Sequence, residues 1–71
     1  MTRGNIIQDI RLQKRMTQRE LADKCGLTTT ELSFVERDMK KPRESTIMRL
    51  AKALEVDFEY LFDAIYNIQE D

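Results

Sequence analysis

Two helix starts and the turn between them are written into residues 16–32. Thr17 is followed three residues later by Glu20, and Thr28 by Glu31, with Gly26 between the two pairs. Each pair is a capping box: the hydroxyl accepts from the amide three residues on, while the carboxylate reaches back to the threonine amide. Two donors that a helix start leaves orphaned are thereby satisfied. Met16 with Leu21, and Leu27 with Leu32, are placed as the hydrophobic staples that set how the chain enters each helix. The space between the boxes fits one short helix ending in a left-handed residue, the conformation that Gly26 adopts most cheaply.

The remaining chain also reads as helical. Two glycines and one proline in 71 residues are few, and β-branched runs are confined to Thr28, Thr29 and Thr30. Ile6, Ile7 and Ile10 recur at helical spacing and predict a first helix over about residues 4–14, with Leu12 off the pattern. Pro42 stops what precedes it, and Ile47, Leu50, Ala51 and Leu54 predict a helix over about 44–54. Its cap is open between Arg43, a poor one, and Ser45, a better one. Asp57 caps a fifth helix, with Val56 and Leu61 as its staple. The expectation is an all-α, five-helix compact bundle forming one domain over residues 1–71.

Composition narrows the chemistry. With one cysteine (Cys25) and no histidine, the chain has no internal disulfide, no Cys/His zinc site and no histidine base. Neither an enzyme activity nor a cofactor, metal or small-molecule ligand is expected. Cys25 reads as a buried packing thiol, and the four methionines as gap-fillers. No apolar run is long enough to cross a membrane, and the start lacks the apolar stretch of a signal peptide, so a cytoplasmic protein with no membrane partner is expected. The net charge of −1 hides an asymmetry: residues 1–43 carry ten Lys/Arg against six Asp/Glu, residues 44–71 two against seven. A basic front half suits phosphates, and an acidic back half keeps the particle soluble.

Between Gln18 and Glu36 the residues meet the steric needs of a helix-turn-helix at about residues 17–37. Ala22 is small where the helices approach, Gly26 makes the turn, and Leu32 and Val35 pin the second helix to the first. With its flanking helices, from about Ile6 to Phe62, the chain resembles the lambda-repressor/Cro-like (XRE) family of DNA-binding domains. It departs where that family commonly carries turn glycines: Arg15, Asp38 and Glu55 stand there, and a left-handed Arg or Glu costs on the order of 1 kcal/mol.

On a helical wheel Thr28, Leu32, Val35 and Glu36 share one side of the third helix, while Thr30, Ser33, Phe34 and Arg37 point away. The resemblance assigns base contacts to Thr29, Thr30, Ser33 and Phe34, a phosphate contact to Gln18, and an ion pair bridging the first and third helices to Arg11 and Glu36. None of the four base-facing residues makes the bidentate contacts of Arg, Asn or Gln, so discrimination is expected to rest on thymine methyls. Thr28 is assigned to capping. Arg37, Lys40, Lys41 and Arg43 surround the following loop as a phosphate clamp or a minor-groove probe, and Arg19 also reaches the DNA backbone.

A module this small gains specificity by reading two half-sites about 34 Å apart, so a homodimer on a palindromic operator in double-stranded DNA is expected. Phe58, Leu61, Phe62, Ile65, Tyr66 and Ile68 span about 160° of a wheel, wider than the ~100° stripe a small core consumes. The segment 57–70 is therefore a candidate dimerisation segment, through Phe58, Phe62, Ile65, Tyr66 and Ile68; the alternative is a local core under a long last helix. The function these features imply is a sequence-specific transcriptional regulator that represses by occluding polymerase. The alternative is a protein-interaction module, such as an antitoxin or anti-repressor, holding its partner with Phe34 and the C-terminal aromatics.

Overall fold

The computed structural model describes residues 3–66. They form α1 (Arg3–Gln13), α2 (Gln18–Cys25), α3 (Thr29–Glu36), α4 (Glu44–Leu54) and α5 (Phe58–Tyr66), with no strand among the described residues. The all-α, five-helix architecture read from the sequence is the one observed. The first helix lies one residue earlier than its periodicity predicts, and the fourth occupies the predicted span.

One apolar face from every helix closes the core. Ile7 of α1, Leu21 of α2, Leu32 of α3, Ile47, Leu50 and Leu54 of α4, and Leu61 and Ile65 of α5 are the large side chains fully withdrawn from solvent. α1 packs on α3 and α5, α2 on α3 and α4, and α4 on α5. At roughly 25 cal/mol per Å² of apolar surface removed from water, each such side chain contributes on the order of 2 kcal/mol. Met16, Leu27 and Val56 pack on the rim of this core. Met39 and Met48 are mostly exposed instead, so the gap-filling role expected of the methionines does not extend to them.

The helix ends explain why the connections are so short. After α1, α2, α3 and α4 the chain turns through a left-handed residue: Arg15 (φ 58°), Gly26 (φ 72°), Asp38 (φ 60°) and Glu55 (φ 59°). Each turn is closed by the same hydrogen bond, five residues back: Met16 N–H to Arg11 O, Leu27 to Ala22, Met39 to Phe34 and Val56 to Ala51, all between 2.9 and 3.0 Å. Such a bond satisfies a terminal carbonyl of the helix. Only one of the four positions is glycine, so the other three residues hold a conformation their Cβ disfavours.

Helix starts follow the sequence, and the choice left open at the fourth helix is resolved. Both capping boxes form: Thr17 Oγ1 accepts from Glu20 N–H at 3.0 Å and Thr28 Oγ1 from Glu31 N–H at 3.0 Å, and each carboxylate accepts from its threonine's N–H. Asp57 Oδ2 accepts from Tyr60 N–H at the start of α5. At α4 the N-cap is Arg43, which offers no side-chain cap, and Ser45 lies inside the first turn. There the Arg43 carbonyl accepts from Ile47 N–H at 2.9 Å, which starts the hydrogen-bond ladder two residues ahead of the better capping side chain.

Candidate nucleic-acid interface

α3 is fixed from behind and free in front. Leu32 is fully buried, and Val35 and Glu36 are 5% and 4% exposed. On the opposite side Thr29 and Thr30 are exposed, Phe34 is 40% exposed, and Ser33 is half-buried. An exposed aromatic ring beside two threonine methyls is a surface with apolar character but little hydrogen-bonding specificity. Thr28 is occupied by its capping box, as its position predicts.

A buried polar cluster sets the angle of α3. Arg11 Nε donates to Glu36 Oε2 at 2.8 Å and Arg11 Nη2 to Glu36 Oε1 at 3.3 Å, with both side chains under 10% exposed. Arg11 Nη1 donates to the Met16 carbonyl at 2.8 Å, which ties the turn after α1 to the same group. The third donor to Glu36 was not foreseen: Gln18 Nε2 reaches Oε1 at 2.9 Å. A buried carboxylate with four acceptor sites asks for more than one guanidinium fork, and that demand is the sequence signal for a further donor. Gln18 is half-buried and retains a second amide N–H beyond the one given to Glu36.

The cationic residues lie around α3. Arg19 is exposed in the first turn of α2, and Arg37, Lys40, Lys41 and Arg43 are exposed from the end of α3 to the start of α4. A cleft behind this loop brings Lys40, Lys41 and Arg43 together with Arg49 of α4, a cation that sequence reasoning missed. Its signal was its place between Ile47 and Leu50 on the outward side of an otherwise apolar repeat. Glu31 shares the cleft, but its carboxylate is engaged by the Thr28 amide and hydroxyl, and those hydrogen bonds hold its pKa below the usual glutamate value. The Glu20 pKa is lowered in the same way by Thr17.

Part of the expected dimerisation face belongs to the core. Ile65 is completely buried, as is Leu61, because both lie on the side of α5 that packs against its neighbours; Ile65 is therefore unavailable to a second copy. Phe58, Phe62 and Tyr66 are half-buried and form a ladder: ring centroids are 5.6 Å apart for Phe58 and Phe62, and 4.6 Å for the stacked pair Phe62 and Tyr66. Ile68 lies outside the described residues. Cys25 is buried, its thiol facing the Arg49 carbonyl at 3.8 Å, and burial pushes its pKa up against the opposing pull of the Arg49 charge. Among the described residues, no group of three or more Cys, Asp or Glu side chains is placed to hold a metal ion, and no helix is long and apolar enough to cross a membrane.

Two helices joined at a left-handed glycine, the second clamped on one side and open on the other, define a helix-turn-helix domain. The helix-turn-helix family model matches residues 7–61, and the chain belongs to that family, in its lambda-repressor/Cro-like (XRE) branch. An immunity repressor protein of Bacillus phage phi105 is 39% identical over 71 residues, all of this chain and 49% of that protein. The chain spans about half or less of the length of the curated relatives it matches. Among solved structures, the P22 c2 repressor in complex with a synthetic operator superposes with a TM-score of 0.79 at 26% identity, covering 86% of this chain and 92% of that one. SinR, a master regulator for biofilm formation in complex with DNA, gives 0.80 at 28% identity, covering 87% and 100%.

Proposed function

We propose that this chain is the DNA-reading module of a transcriptional repressor and that it acts as a homodimer on a palindromic operator. The observation that carries the reading is the two-sided state of α3: Leu32, Val35 and Glu36 sealed behind it, and Thr29, Thr30 and Phe34 open in front. A helix held this way enters a major groove without rearranging. Thr29, Thr30, Ser33 and Phe34 meet base edges, chiefly thymine methyls, while Gln18, Arg19, Arg37, Lys40, Lys41 and Arg43 meet phosphates. The start of α4 adds first-turn amides that no side chain caps. The dimer contact falls to Phe58, Phe62 and Tyr66, with Ile68 beyond them. Two relatives support this use of the fold, one described as an immunity repressor and one as a repressor bound to operator. Repression follows from occupying the operator and blocking polymerase.

The test is selection of bound duplexes from a random pool. An enriched palindrome rich in A·T steps, with half-sites about 34 Å apart, reports sequence reading and two-fold symmetry together. Binding should weaken steeply as salt rises, and Lys40→Glu or Arg43→Glu should weaken it further in folded protein. Phe34, at 40% exposure, is the observation that favours the second reading, a protein-interaction module. A pool that emerges without enrichment, from protein that shows no salt-dependent affinity for duplex, supports that module instead.

A further inference from the structure

Tyr66 touches the α3–α4 loop twice. Its hydroxyl donates to the Pro42 carbonyl, and the Lys41 ammonium sits over its ring, 4.0 Å from the centroid. We propose that Tyr66 is a positioning residue for DNA binding, holding Lys41 and the Pro42–Arg43 peptide ready for a phosphate. The proposal rests on the DNA reading above.

Three features carry it. Lys41 is exposed on a flexible four-carbon stem, so a free ammonium at this point would sample many rotamers. A carboxylate partner would fix it but cancel its charge and occupy its donors. An aromatic face holds the cation while leaving its net charge, and the N–H groups turned away from the ring, to a phosphate. The ring is itself braced, stacked on Phe62 at 4.6 Å with the planes 14° apart, and Phe62 leans on Phe58. Finally, the peptide after Pro42 is trans, so drawing the Pro42 carbonyl toward Tyr66 turns the Arg43 N–H to the opposite side. Arg43 is the N-cap of α4, and its side chain caps none of the first-turn amides, which have no partner within the helix. One side chain on α5 therefore orients both a cation and a backbone donor of a loop more than twenty residues away.

The phosphate contribution to binding is independent of sequence, so any duplex reports it. The full chain is titrated against a mixed-sequence duplex of about 24 base pairs from about 50 to about 200 mM salt, comparing wild type, Tyr66→Phe, Tyr66→Leu, Lys41→Met and the double variant Lys41→Met/Tyr66→Leu. Losing one phosphate contact flattens the slope of log K against log salt by about 0.9. Tyr66→Leu should flatten it by about that much and weaken binding at the upper salt end by roughly threefold to tenfold. Lys41→Met should match it, and the double variant should be no worse in slope than Lys41→Met alone. Tyr66→Phe keeps the ring but loses the hydroxyl that holds the Pro42 carbonyl. It should keep the wild-type slope, which counts the cation, and weaken binding about threefold at every salt concentration; unchanged affinity overturns the role of the hydroxyl. A Tyr66→Leu slope equal to wild type overturns the proposal. So does an equal Tyr66→Leu penalty with and without Lys41, which would indicate a route through dimerisation or folding. If Tyr66→Leu does not fold, the Lys41 side-chain proton shifts decide: upfield displacement by the ring in wild type and Tyr66→Phe supports the proposal, and unshifted values overturn it. A wild-type chain that ignores the duplex at low salt sinks the DNA reading and this proposal with it.

Discussion

Gln18 and Glu36 are joined by a 2.9 Å hydrogen bond from Nε2 to Oε1, so the first residue of α2 and the last of α3 meet at one buried carboxylate. Arg11 completes the cluster from α1. Removing one member of the Arg11–Glu36 pair strands a buried charge and should cost about 3 kcal/mol in urea unfolding. Arg11→Met/Glu36→Leu should cost less than the two single changes together, because neither charge is left alone. Gln18→Ala should cost about 1.5 kcal/mol, the range for a hydrogen bond to a charged group. Additive penalties, with the double variant costing as much as the two single changes summed, would refute this account.

The two capping boxes give the fold an acid-sensitive limb. Thr17→Ala and Thr28→Ala should each lower stability by about 1 kcal/mol. The Glu20 and Glu31 pKa values are lowered in the folded chain, chiefly by hydrogen bonds from the threonine amides. Groups lowered in the fold contribute stability that is fully present above their ordinary value near 4.5 and is lost as pH falls through the folded value. Glu20→Gln and Glu31→Gln variants, melted across that window, should lose less stability on acidification than wild type does.

Left-handed Arg15 and Glu55 mark positions where glycine improves the protein. Arg15→Gly and Glu55→Gly should each stabilise by up to about 1 kcal/mol, the relief of Cβ strain less the entropy of a freer unfolded chain. Gly26→Ala should destabilise by about 1 kcal/mol although a Cβ there meets nothing nearer than Arg49 Nη1 at 3.8 Å, because the cost lies in φ and not in space. Thermal melts of the three variants would show two signs if backbone conformation governs, and one if packing does.

Cys25 should resist modification. Burial raises its thiol pKa and removes it from solvent, so labelling by a thiol reagent near pH 8 should proceed at the rate of transient opening and become fast in denaturant. Rapid stoichiometric labelling of folded protein would contradict the placement of this side chain.

The exposed ring of Phe34 should matter for selectivity more than for affinity. Phe34→Ala is expected to leave stability within about 0.5 kcal/mol, since the side chain is 40% exposed, while reducing the preference for thymine over cytosine in the selected duplexes. Unchanged base preference would move recognition to other residues.

Features that depend on neighbours in sequence were legible before any coordinates. The boxes at Thr17 and Thr28 and the staple residues each involve groups within about five residues, and local sterics decide them, whereas the turn positions Arg15, Asp38 and Glu55 are legible only through the family resemblance. Ile65 shows the limit: a wheel gives the width of an apolar stripe but not which neighbour covers each part of it, and α1 and α4 take the portion carrying Leu61 and Ile65. The Gln18–Glu36 bond and the Tyr66 contacts with Lys41 and Pro42 join residues far apart in the chain, and no periodicity announces them. At Arg43, the requirement to begin the α4 ladder prevailed over the capping preference of Ser45.

Each helix of the central pair carries its own terminators: Thr17 with Glu20 on one, Thr28 with Glu31 on the other, and Gly26 between. None of these residues stands at Thr29, Thr30, Ser33 or Phe34. The outward alphabet of α3 is thus uncoupled from the grammar that folds it, and those four letters are open to rewriting by drift or design while the scaffold beneath them endures.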